Sequence, residues 1–144
     1  MEGLKVVSVE ELLSRAGIAG VAVAPGQKLT VFRGDKVRMH CGWNYRGPAI
    51  SVTLYCAIGK RMLGVFDEIA VGQKTVSLAQ STDFLAYTNY ADIDTSPIAP
   101  GVDYDIEAKI AEYMSQTLVK IDNVIDVTGA AEFQGFAITG YEKV

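Results

Sequence analysis

The residues of this 144-residue chain best suited to chemistry are few: one histidine, His40, two cysteines, Cys41 and Cys56, and the acidic pairs Asp92-x-Asp94 and Asp103-x-Asp105. His40 and Cys41 are adjacent, and neighbours on a strand point to opposite faces, so they cannot ligate one ion; no zinc site is expected. Cys41 and Cys56 lie almost symmetrically about Arg46-Gly47-Pro48 on inward faces. Two buried thiols packed as small hydrophobes is the favoured reading, and a disulfide between them the alternative. A calcium ion needs several oxygens converging on one point, whereas each acidic pair falls on the solvent face of its own strand, and the two strands belong to different sheets. With no Gly-x-Ser-x-Gly elbow, no phosphate loop and no paired catalytic carboxylates, we expect a non-enzyme, with no catalytic residue, metal or cofactor.

Two further patterns suggest recognition. Arg33-Gly34-Asp35 spells a tripeptide read by integrins, but it occupies an expected tight turn for which Gly-Asp is a common choice, and a structural turn is the simpler reading. Tyr87 and Tyr90 could form a stacking platform for sugars, although an extended loop packing its own aromatics explains them more simply.

The elements that must position these residues are largely strands. Net charge −4 and 49% hydrophobic residues describe a globular chain without the basic stripe that phosphate backbones require, so nucleic acid is not an expected partner. The apolar run from Gly17 to Ala24 is far shorter than the roughly 18–20 residues of a membrane span, and neither a membrane partner nor a spanning segment is expected. That run ends in Ala-x-Ala, yet Glu10 and Glu11 stand where a basic leader would be, so no signal peptide is expected and the compartment stays unassigned.

Residues 1–26 read as an arm: Ser8-Val9-Glu10-Glu11 has capping-box spacing, a short helix should run to Ala16, and Gly17 should stop it. Residues 27–129 read as an antiparallel β-sandwich, and residues 130–144 as a tail or extra strand. Strands are expected at Lys28–Arg33, then with Val37, Met39, Cys41, Trp43 and Tyr45 on one face, then with Ile50, Val52, Leu54, Cys56 and Ile58 on one face. Met62 to Ile69 fits neither period and reads as irregular or a short helix. Thr75–Ala79, Phe84–Tyr87, Tyr90–Thr95, Asp103–Glu112 and Leu118–Val127 complete about eight short strands, a count typical of a sandwich. Ile98-x-Pro100-Gly101-x-x-Tyr104-x-Ile106-x-Ala108 reads as a turn entering a strand, with Tyr104, Ile106, Ala108 and Ile110 on one face.

Trp43, Tyr55 and this Pro-Gly-x-x-Tyr corner together resemble fibronectin type III domains, members of the immunoglobulin-like sandwiches, over roughly residues 28–128. The resemblance implies that Trp43 packs beside the corner and that the Tyr104 ring enters the core while its hydroxyl bonds backbone upstream. The immunoglobulin disulfide is not implied, because Ile106 stands at its second cysteine. The stretch from Cys56 to Ile98 is longer than such a domain needs and suggests an extra hairpin or loop.

Fold does not imply function. Apolar residues of the two arms, Leu4, Leu12, Leu13, Phe133, Phe136 and Tyr141, have no place in the sandwich and are expected to dock on it or on neighbouring subunits in symmetric contacts. The expected function is therefore a structural or assembly protein, a homo-oligomer or part of a larger assembly. By fold-level analogy this would be a decoration, head or tail component of a viral particle. The alternative is a protein- or glycan-binding module using Tyr45, Arg46 and the Phe84–Tyr90 segment, including Tyr87 and Tyr90.

Overall fold

The computed structural model describes residues 22–129, 131 and 133–144; the helix expected after Ser8, and Leu4, Leu12 and Leu13, lie outside the described residues. Seven strands follow one another: β1 (Leu29–Phe32), β2 (Lys36–Gly47), β3 (Ile50–Met62), β4 (Val65–Leu78), β5 (Ser81–Asp94), β6 (Gly101–Ile110) and β7 (Val119–Thr128). A 3-10 turn (Ala111–Tyr113) and the one-turn helix α1 (Met114–Thr117) link β6 to β7. The fold is all-β, in a five-stranded sheet of order β1-β7-β6-β3-β4 and a two-stranded sheet of β2 and β5. The expectation of a wholly antiparallel sandwich is corrected at one place: β1 pairs parallel with β7, from Leu29 opposite Ile125 to Phe32 opposite Thr128. The reason lies in the Arg33-Gly34-Asp35 turn, which sends the chain across to the other sheet and so leaves β1 to pair with the last strand. No described helix is long and apolar enough to cross a membrane.

Alternation in β2 and β3 places the expected faces inward. Val52, Leu54, Cys56 and Ile58 are buried on β3, and Val37, Met39, Cys41, Trp43 and Tyr45 pack on the core from β2. Across the core, Tyr104 is 6% exposed and its hydroxyl donates to the Ala99 carbonyl at 2.6 Å, so the corner closes as its residues suggest. Thr95, fully buried, ties the β1–β2 turn to the end of β5: its hydroxyl accepts from the Gly34 N–H at 3.0 Å and donates to the Asp35 carbonyl at 2.6 Å.

Three sequence expectations are corrected. Met62–Ile69 is neither irregular nor helical: Leu63 and Gly64 have φ of 50° and 80°, the left-handed pair that a two-residue hairpin requires, and β4 starts at Val65. A leucine in that first position hides the turn, and the register shift between Ile58 and Gly59 breaks the period. The short strands expected from Thr75 to Thr95 are two 14-residue strands, which with a lengthened β3 account for the long stretch after Cys56. Asp105 does not face solvent. It is 4% exposed, and its carboxylate accepts from the backbone N–H of Arg61 at 2.7 Å and of Asn123 at 2.8 Å, clamping β3 and β7 to β6 where the β6–β7 register slips.

The sheets come close at Gly72, where a Cβ would lie 2.2 Å from the Asp92 carbonyl oxygen, and β5 packs over β4 and β3. In urea unfolding, Asp105→Ala should cost about 3 kcal/mol and Tyr104→Phe about 1 kcal/mol, the difference reflecting a buried charge-assisted clamp against one neutral hydrogen bond. Equal losses would contradict this ranking.

Candidate functional site

β5 lies over β4 and β3, and among the described residues the small sheet ends at β2 with no third strand beside it. A groove of about 560 Å³ opens there, between the Cys41–Arg46 stretch of β2 and residues of β3, β6 and the start of β7. Ile50, Leu54 and Ile110 supply apolar lining, with Trp43 and Tyr45 from β2 and Tyr113 from the 3-10 turn. Phe84 and Val119, also at the groove, are 62% and 60% exposed. Among the described residues β2 hydrogen-bonds in a sheet with β5 alone, so its other edge is open.

The groove walls are fixed by specific contacts. Trp43 stacks on Tyr87 at 6.0 Å with an 11° interplanar angle, and the Tyr87 oxygen accepts from the Ala79 N–H at 2.9 Å. Tyr45 donates to the Pro48 carbonyl at 2.7 Å, and its hydroxyl lies 2.7 Å from where a Cβ at residue 47 would be; with φ of +148°, that position suits only glycine. The Arg46 guanidinium sits 4.4 Å from the Phe84 ring centre. The helical turn is anchored to β3 because the Glu112 carboxylate accepts from the Thr53 N–H at 2.7 Å and from its hydroxyl at 2.9 Å. Those bonds hold the Glu112 carboxyl below its usual range. The Trp43 indole N–H is buried with no acceptor among the described residues.

What the groove offers chemically is apolar contact and strand pairing. The cysteines are free thiols, Cys41 half-buried on β2 and Cys56 fully buried on β3. They act on each other: the nearby Cys56 thiol lowers the Cys41 pKa, while Cys41 and burial push the Cys56 thiol up. Among the described residues, no group of three or more His, Cys, Asp or Glu side chains could hold a metal ion.

Of the residues singled out from sequence, Tyr45 and Arg46 share the groove. Tyr87 packs against the core, whereas Tyr90 stands apart from it with Arg38 at 4.0 Å and Lys74 at 3.8 Å from its ring centre. They do not form one platform, and both lie within β5 rather than in an extended loop. Asp92 and Asp94 are exposed on β5, and Arg38 donates to both Asp92 oxygens, holding that carboxyl low. Phe133, Phe136 and Tyr141 are 90%, 93% and 98% exposed. Sequence reasoning missed the groove itself and the hairpin tip Met62, Leu63 and Val65, which is 69% to 102% exposed. No local signal marks a groove lined by several strands.

Comparison with models of known protein families and with curated proteins finds no match.

Two outcomes follow from the groove's chemistry. Alkylation should modify Cys41 and spare Cys56 in the folded protein, with the Cys41 rate half-maximal below pH 9.0, the ordinary thiol value; equal labelling would contradict the burial. A carboxylate whose folded pKa is depressed stabilises above its unfolded value and ceases to as pH falls through the folded one. Exchange protection of the Thr53 N–H should therefore persist at neutral pH and fall on acidification below the ordinary Glu range, a dependence that Glu112→Gln should abolish.

Proposed function

We propose that this protein is a non-enzymatic structural subunit that assembles through protein–protein contacts, built on an immunoglobulin-like, fibronectin type III-like sandwich. The observation that carries this reading is the tail: Phe133, Phe136, Ile138, Tyr141 and Val144 are 85% to 111% exposed. Five large apolar side chains held in water on a short segment gain nothing for an isolated domain, and such surfaces mark contact with other chains. The exposed tip of the β3–β4 hairpin supports the same reading. The finer setting we propose, by fold-level analogy, is a component of a viral particle.

A second reading is a recognition module for protein or glycan, favoured by exposed Phe84 against Arg46 at one end of the sandwich. Light scattering over a concentration range separates the two. The full-length chain should exceed its 15.5 kDa monomer mass and grow with concentration, while a variant with Phe133, Phe136, Ile138 and Tyr141 changed to serine should stay at 15.5 kDa. A full-length chain that is monomeric throughout would rule out self-assembly and leave the recognition module.

A further inference from the structure

We infer that the groove between β2 and the large sheet receives the tail of a second copy of this chain, residues 133–144, laid along the open edge of β2. The inference rests on the assembly reading above and names its interface.

Three observations converge on this occupant. The groove is apolar, roughly 560 Å³ in volume, and bordered by a strand whose outer edge is unpaired among the described residues. Such an edge accepts an extended segment through backbone hydrogen bonds, with alternate side chains filling pockets. The tail is such a segment: among the described residues it has no helix or strand pairing of its own. After Gly135, whose φ of +66° turns the chain, Phe136 and Ile138 fall on one face of an extended strand and Ala137 and Thr139 on the other. Phe136 and Ile138 would enter beside Trp43, Ile50 and Ile110, leaving the small residues outside. The hairpin tip is also apolar, but its two-residue turn is too short to follow β2.

The geometry points to a second copy rather than the chain's own tail. β7 begins at the groove with Val119 and runs to Thr128, so the strand ends roughly 30 Å from that part of the groove, and the eight residues on to Phe136 reach back at most about 29 Å. The tail's large side chains, at 85% exposure or more, do not lie on their own domain. Tail and groove are different surfaces of one molecule, so the contact is head-to-tail and propagates into a ring or a filament.

The test uses full-length chains. A tail variant, Phe136→Asp with Ile138→Asp, keeps an intact groove; a groove variant, Phe84→Asp with Val119→Asp, keeps an intact tail, and all four positions are exposed enough to preserve folding. Each variant alone should be monomeric, and their mixture should form a complex of roughly twice the monomer mass that grows no further. Trp43 is the only tryptophan and lines the groove, so its quenching by acrylamide should drop about twofold in the mixture, and also when a peptide of residues 133–144 is added to the tail variant. The peptide arm stands even if the groove variant does not fold. A tail variant that assembles like the wild type would overturn the docking and leave assembly by other contacts. So would a groove variant that assembles normally, or a Trp43 whose quenching ignores the peptide. A wild-type chain that never assembles would overturn both this interface and the assembly reading.

Discussion

Among the described residues seven strands divide five and two, and a sheet of two cannot cover a sheet of five. A two-stranded sheet shields about two strands' width of its partner, and the close approach of Gly72 to the Asp92 carbonyl commits that shield to the β4 and β3 side. Everything distinctive about the molecule follows from that choice. Among the described residues β2 keeps an open edge, and side chains of β2, β3, β6 and the start of β7 line a groove beside it.

The two sheets are held by polar clamps at the places where their strands change direction or register. The Tyr104 hydroxyl closes the corner into β6, Thr95 binds the sheet-crossing turn after β1, and Asp105 joins three strands across a slipped register. Each satisfies part-buried backbone groups outside the strand ladders. Glu112 performs the same service for the helical turn beside the groove. The groove is thus a shape fixed by hydrogen bonds on several elements, suited to receiving a preformed segment of chain.

Several titratable groups are engaged by neighbouring strands. Asp92 is held by Arg38, Tyr55 donates to Glu68 and is pushed up to about 12, and the two thiols hold each other. These contacts tie strand to strand, β2 to β5, β3 to β4 and β2 to β3.

The chain's local chemistry determined its strands. Alternation put Val52, Leu54, Cys56 and Ile58 inward, and Pro100-Gly101 followed by Tyr104 announced the corner, because period and turn preference act over a few residues. Where a local signal was disguised, as at Leu63-Gly64 or at the bulge after Ile58, the reading failed. Asp105 looked solvent-facing because only two partners distant in sequence, Arg61 and Asn123, supply the N–H groups that bury it. Tyr45 and Arg46 could be singled out as a candidate binding surface, but not the groove they border. That groove depends on which strands lie over which, a matter settled by long-range packing between sheets, and no pattern along one strand records it.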